Sequence, residues 1–363
     1  MITIKDIAKE ANVSEGTVDR VLHNRGGVSK KTEAKIQKII QKMNFSVNPV
    51  ASALATKSKH KIAALIPEYT NSDLFWKSPY LGILKASEDV KNVGTQVNCY
   101  PFNQYDAHSY LNTFKTLIKT KPSAVLIVPI FIKETKQIVS ELEKLNIPYM
   151  FLNIDIEGFK NEAFIGQDSY TAGYIAGKLM HLSLPEQSHF LIIQSRYKTT
   201  KNNAIYKRVE GFNDYFLKNN IKEETLILTI DNLNNTIETK EKINSFLKQH
   251  ENIKGIFIPS SRIHVFVDCI EKNELKKLKL IGFDNTPQNI AYLKNDTVSF
   301  LISQKPFEQG YESIRLMVNY LNKKTIPNNK IYLPIDILTK ENVIYNERSE
   351  FMFENESINN NID

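Results

Sequence analysis

Residues 3–22 read TIKDIAKEANVSEGTVDRVL, and the spacing inside this stretch decides the fold of the N-terminus. Thr3 followed three positions later by Asp6 is a capping-box pattern that starts a helix. Ile4, Ile7, Ala8 and Ala11 recur at intervals of three and four, an apolar stripe on one helix face. Asn12-Val13 is a turn too short to let the next element run far away. Ser14 caps a second helix that turns Val18, Val21 and Leu22 inward and leaves Glu15, Gly16, Thr17, Asp19 and Arg20 outward. Arg25-Gly26-Gly27 forms a loop, and Ser29 caps a third helix packed through Ala34, Ile36, Ile39, Ile40 and Met43. Two short helices joined by a tight turn, closed by a third, make a helix-turn-helix.

The charge distribution says what such a head would hold. Residues 1–60 carry 11 Lys and Arg against 5 Asp and Glu, a net of +6, whereas the other 303 residues carry 36 against 35. A basic block on a short segment ahead of a nearly neutral body is an electrostatic footprint for a polyanion. The rest of the composition, 42% apolar and 24% charged over 363 residues, fits two or three soluble domains with sizeable cores. The opening residues MITIKD hold charges and no apolar core of a secretory signal, and no run approaches the ~20 apolar residues of a membrane helix. Cys99 and Cys269 form no CxxC and are expected to be buried thiols. These features lead us to expect a cytoplasmic protein that does not engage a membrane.

The pattern TIKDIAKEANVSxxTVxRVLxN followed by VSxxT resembles the DNA-binding head of the lactose-repressor (LacI/GalR) family. The resemblance covers the whole head and implies that the second helix enters the major groove of an operator. By position it places Glu15 and Gly16 at the main base-reading sites and Thr17 and Arg20 at contacting sites. Thr3, Ser14, Asn24, Ser29 and Thr32 fall at the DNA-facing positions around them. Two departures stand out. Asp19 replaces the usual serine, and Glu15 adds a second carboxylate to the reading face. A carboxylate repels phosphate but accepts from cytosine N4, so cytosine is expected opposite Glu15. Residues 47–60 are expected to form a hinge. Asn48-Pro49 reads as a helix start, and the resemblance implies that Asn48, Ala51 and Leu54 meet the minor groove, with Leu54 as a wedge between base pairs. The proline lies downstream of its usual place in the family.

From Lys61 onward apolar runs alternate with amphipathic stretches. Strands are expected at Ile62–Pro67, Gln96–Tyr100, Ala124–Pro129, Tyr149–Leu152, Phe190–Ile193, Leu226–Ile230, Gly255–Pro259, Leu280–Phe283 and Val298–Ile302. Helices are expected between nearly all of them. Such alternation builds parallel sheets covered on both faces, and some 285 residues suffice for two Rossmann-like lobes. The expected fold is therefore an all-α helix-turn-helix head (1–46), the hinge, a two-lobed α/β body (61–345) and a disordered acidic tail (346–363).

Strand ends in the body resemble the type I periplasmic sugar-binding fold, which also forms the body of the repressor family. The resemblance implies a ligand site made by Phe75 and Trp76, Asn153, Asp168, Arg208, Ser260, Asp284 and Gln304. Phe75-Trp76 matches an aromatic pair that stacks on a sugar. Asp168 belongs to Phe164-Ile-Gly-Gln-Asp-Ser169, Arg208 to an RxxGF pattern, and Asp284 to a GFD segment. Asn153 replaces an aspartate and Ser260 an asparagine. The family implies lobes at about 61–160 with 303–326 and about 163–300 with 329–345. The functional expectation is a ligand-responsive transcriptional regulator, a repressor acting as a homodimer on a pseudopalindromic double-stranded operator. Its effector would be a monosaccharide, with a purine or other small metabolite as alternative. A transport binding protein and an enzyme are the rival classes. No GxGxxG after a strand, GxxxxGK[ST], HExxH or GxSxG occurs, the seven histidines are scattered, and neither a cofactor nor a metal is expected.

Overall fold

In the computed structural model the described residues are 4–22, 26–43, 60–70, 73–91, 94–195, 204–230, 233, 236–323 and 328–346. The chain divides into a small helical head and a larger α/β body. In the head, α1 (Ile4–Ala11), α2 (Glu15–Leu22) and α3 (Lys30–Lys42) follow the predicted order. Ser14 Oγ accepts from the Thr17 amide at 3.2 Å and Ser29 Oγ from the Thr32 amide at 3.2 Å, so both serines satisfy amides that the helix itself leaves unpaired. Asn12 makes the turn at φ 53, a left-handed conformation that asparagine tolerates. Lys35 Nζ donates to the Ala11 carbonyl at 2.9 Å, capping α1 from α3.

The head core holds Ile7, Ala8, Ala11, Val18, Val21, Ile36 and Ile39, with Leu22, Ile40 and Met43 partly buried around it. Ala34 is exposed, contrary to expectation, because it lies two positions before Ile36, on a different face of α3. Thr3, Asn24, Arg25 and the hinge positions Asn48, Ala51 and Leu54 lie outside the described residues, as do 347–363 of the tail.

The body contains two six-stranded sheets. The first is ordered β11-β5-β4-β3-β1-β2, from β1 (His60–Pro67), β2 (Thr95–Phe102), β3 (Ala124–Ile127), β4 (Tyr149–Leu152), β5 (Phe164–Gly166) and β11 (Lys330–Tyr332). The second is ordered β12-β10-β9-β8-β6-β7, from β6 (His189–Gln194), β7 (Thr225–Thr229), β8 (Ile253–Phe257), β9 (Lys279–Phe283), β10 (Phe300–Ser303) and β12 (Asp336–Leu338). Neighbouring strands are parallel except β10 and β12. Each lobe thus repeats one doubly wound order, with its first strand between the second and third. The order reverses there, and crevices open beyond the carboxyl ends of the strands at such a point.

Helices α4 (Lys77–Lys91), α5 (Ala107–Ile118), α6 (Ile132–Lys144) and α13 (Pro306–Lys323) accompany the first sheet. Helices α7 (Ser169–Ser183), α8 (Ala204–Lys218), α9 (Thr236–Gln249), α10 (Ile263–Cys269), α11 (Lys272–Leu275) and α12 (Pro287–Lys294) accompany the second. The pair α7 and α8 crosses on glycines. A Cβ on Gly173 would lie 2.0 Å from the Arg208 carbonyl oxygen, and one on Gly211 2.0 Å from that of Tyr170. This backbone approach fixes the helix that carries Arg208.

β5, β11 and β12 were not foreseen, because three residues each are too few to show a period. The lobe limits also shift: β5 pairs with β4 and β11 with β5. Residues 164–166 and 330–332 therefore complete the first sheet, and the chain passes to the second lobe only after Gly166. Cys269 is buried and Cys99 half-buried, and burial pushes the Cys99 thiol up to about 12.

Candidate functional site

Between the two sheets of the body the carboxyl ends of the strands enclose a cavity of about 110 Å³. Seven of the eight expected ligand positions line it: Phe75, Trp76, Asn153, Arg208, Ser260, Asp284 and Gln304. Phe75 and Trp76 precede α4 and meet edge to face, ring centres 4.9 Å apart. Trp76, the chain's one tryptophan, is 5% exposed.

Asn153 and Asp284 are positioned by the same local device in the two lobes. Each directly follows a buried strand, β4 or β9, and each takes a left-handed backbone at φ 66. Each amide donates to the adjacent strand, Asn153 to the Ile165 carbonyl at 2.8 Å and Asp284 to that of Ile302 at 3.0 Å. Asn and Asp are the side-chain-bearing residues best suited to this conformation.

Asp284 is 2% exposed and Arg208 4% exposed. Burial holds the Asp284 carboxyl up to about 6, while the charge of Arg208 and the Gln304 hydrogen bonds pull it back. Burial draws the Arg208 guanidinium down to about 10, with Asp284 opposing. Arg208 Nη1 donates to the Pro259 carbonyl at 2.9 Å, and its guanidinium lies 3.8 Å from the Phe283 ring centre. Its Nε is buried without a hydrogen-bond partner among the described residues. A buried unpaired donor is costly, and here it belongs to a side chain that lines the cavity.

A pH dependence follows from Asp284. Its folded value lies above its ordinary 3.8, so between about pH 4 and 6 the folded chain holds a proton that the unfolded chain releases. This contribution to stability is complete below about pH 4 and is lost as pH rises through 6. The difference in unfolding free energy between the native chain and Asp284→Asn should therefore shift in favour of the native chain as pH falls, by on the order of 2 kcal/mol. Thermal unfolding from pH 4 to 8 measures it, and a flat difference contradicts it.

Asp168 is the exception among the expected positions. It caps α7, accepting from the Thr171 amide at 3.1 Å and the Thr171 hydroxyl at 2.7 Å, and it does not line the cavity. Its two oxygens are thereby occupied within its own turn. Conversely Asp284 leaves the capping of α12 to Thr286.

Five polar lining residues lie outside the expected set: Asp73, Gln104, Ser195, Ser261 and Arg262. Arg262 Nη2 of the second lobe binds Asp73 Oδ2 of the first at 2.7 Å. Gln104 Nε2 at 2.9 Å and the Tyr105 hydroxyl at 3.2 Å also donate to that oxygen. The pair closes one side of the cavity and spans 189 residues of sequence, so local patterns could not reveal it. A second ion pair between the lobes joins Lys207 on α8 to Asp155 at 3.6 Å.

In the head, Glu15, Gly16 and Arg20 are exposed on α2, and Thr17 and Asp19 are half-buried. The Ser14 and Thr17 hydroxyls lie 2.9 Å apart at the start of α2, and those of Ser29 and Thr32 2.8 Å apart at the start of α3. Both sites sit where amides and helix dipole favour phosphate. Gly27 adopts φ 93, and a Cβ there would approach Arg20 Nη1 to 3.3 Å.

Residues 3–48 match the bacterial regulatory proteins of the lacI family, and residues 62–325 match the periplasmic binding protein domain. The chain belongs to the LacI family. Its head is that family's helix-turn-helix and its body the periplasmic-binding-protein fold. The ribose operon repressor of Halalkalibacterium halodurans is 26% identical over 96% of this chain and 99% of its own length. Catabolite control protein A of Priestia megaterium is 23% identical over 92% and 96%. Among solved structures, a candidate LacI transcriptional regulator from Bacteroides fragilis aligns at TM-score 0.73 and 27% identity, over 79% of this chain and 99% of that one. As a LacI-family protein the chain is a DNA-binding transcriptional regulator with a ligand-sensing body. No described helix is long and apolar enough to cross a membrane. Among the described residues no group of three or more His, Cys, Asp or Glu is placed to hold a metal ion.

Proposed function

We propose that this LacI-family regulator is a cytoplasmic homodimeric repressor whose operator affinity is set by a monosaccharide bound between its lobes, and that it binds its ligand without transforming it. The observation that carries the reading is the cavity wall. A buried aromatic pair lies in the same wall as Asn153, Asp284, Gln304 and an Arg208 whose Nε has no hydrogen-bond partner among the described residues. Sugars offer CH faces that pack on aromatic rings and hydroxyls that pair with planar amides, carboxylates and guanidinium. The relatives support the class: two of them are named ribose operon repressors. A LacI-family dimer would present two α2 helices to two half-sites of a pseudopalindrome. Thr3, Asn24, Asn48, Ala51 and Leu54 complete the proposed DNA-contacting set with Ser14, Glu15, Gly16, Thr17, Asp19, Arg20, Ser29 and Thr32.

Trp76 supplies the test. As the one indole in the chain, and a lining residue of the cavity, it should change its emission when D-ribose, D-glucose or D-galactose occupies the cleft. A saturable change with one of these sugars, lost in Arg208→Ala, is the expected result. A response to purines alone would replace the effector class, and no response to any of them would overturn the reading.

A further inference from the structure

Gln309 lies on α13 with 0% exposure and is not part of the cavity wall. An amide buried this completely must have both of its ends satisfied, and the partners it uses lead back to the ligand site. Gln309 Oε1 accepts from Asn153 Nδ2 at 3.0 Å, and Gln309 Nε2 donates to the Gln304 backbone carbonyl at 2.8 Å. Asn153 Nδ2 also donates to Gln304 Oε1 at 3.2 Å. Gln304 Nε2 in turn donates to both oxygens of Asp284, at 3.0 and 2.8 Å. The result is a continuous relay from α13 of the first lobe, through the end of β4 and the segment after β10, to the end of β9 in the second lobe.

The relay has a direction. A primary amide donates at one end and accepts at the other, and an ionised carboxylate only accepts. Asp284 therefore draws the Gln304 amino group, which leaves the Gln304 carbonyl to Asn153. The Asn153 amino group is then taken by two carbonyls, those of Gln304 and Gln309. What Asn153 has left for the cavity it lines is its carbonyl oxygen.

We propose that Gln309 is a positioning residue that holds this relay in one direction, so that Asn153 offers the ligand an acceptor while Gln304 stays committed to Asp284. This rests on reading the cavity as the ligand site and deepens it: the ligand group beside Asn153 is a hydrogen-bond donor, a hydroxyl or amine. Gln309 acts without touching the ligand. Removing it frees the Asn153 amide to turn, loosens Gln304 and weakens the bonds that favour the ionised form of Asp284.

The test needs no ligand, so a chain that ignores every sugar would sink the sugar reading and leave this one standing. The charged side chain facing Asp284 is Arg208 from α8. The other charged lining residues, Asp73 and Arg262, pair with each other. The pH midpoint of the Asp284-linked stability is read as the difference in unfolding between the chain and its Asp284→Asn variant. It should move up by roughly 0.5 pH unit or more in a Gln309→Met background. Asn153→Ala should move it in the same direction, and the double variant should add little. Ile314→Val, which trims a buried residue of the same helix, should lower the unfolding temperature and leave the midpoint in place. A Gln309→Met chain that loses stability with an unmoved midpoint overturns the proposal. If that chain does not fold, an unmoved midpoint in Asn153→Ala does so alone.

Discussion

Arg208→Ala should cost about 2–5 kcal/mol of stability at pH 7, the sum of a charged hydrogen bond and a desolvated cation–π contact, and abolish the response to sugar. Three losses combine. The buried Asp284 carboxylate loses the nearby positive charge that favours its ionised form, and a buried charge left without compensation is costly. The Pro259 carbonyl loses its donor and Phe283 its stacked guanidinium. The cavity wall loses the Nε–H that has no partner among the described residues. Arg208→Lys restores a charge but not the planar fork, so it should recover part of the stability and none of the binding. Adding Asp284→Asn to Arg208→Ala removes the stranded charge and should regain stability relative to Arg208→Ala. Thermal unfolding and Trp76 emission read all four chains. Sugar binding unchanged in Arg208→Ala would exclude Arg208 from the site.

The second large effect is on DNA choice. Glu15→Ala should erase a preference for cytosine at one base pair of each half-site, a change of about 1–3 kcal/mol in discrimination there. Glu15 is exposed at the first position of α2, where it can accept from a base edge. Its charge also opposes approach to phosphate. The variant should therefore bind non-specific DNA at least as tightly as the parent while losing sequence choice. Binding-site selection with both chains separates these outcomes. An unchanged cytosine preference would reduce Glu15 to an acid favouring the helix dipole.

How much could be read in advance depended on the range of each interaction. The head was legible because its signals are local. Ser14 and Ser29 cap helices three residues ahead of their partners, and the inward stripe shows its period within one or two turns. The long strands were legible as apolar runs, whereas β5, β11 and β12 were too short to announce themselves. Phe75, Arg208 and Asp284 were expected through the resemblance, joined to the rule that ligands lie beyond strand ends, and all three line the cavity. Asp168 came from the same resemblance but caps α7, and the Asp-x-x-Thr spacing that makes it a cap is equally present in the sequence. Asp73 with Arg262 stayed hidden because no pattern pairs charges so far apart. Gln309 stayed hidden because a glutamine on a helix reads as surface until its burial is seen.

The central claim is that cleft occupancy and operator affinity are one equilibrium, and linkage makes this measurable from both ends. Anisotropy of a labelled operator duplex, chosen by binding-site selection, should be titrated with the full chain. The titration is done without sugar and then with the sugar that saturates the Trp76 response. The account predicts a change in operator Kd of roughly tenfold, within the usual 5–150-fold range of allosteric coupling, and the same factor in sugar affinity when operator is bound. A sugar that saturates Trp76 and leaves the operator Kd unchanged would contradict it.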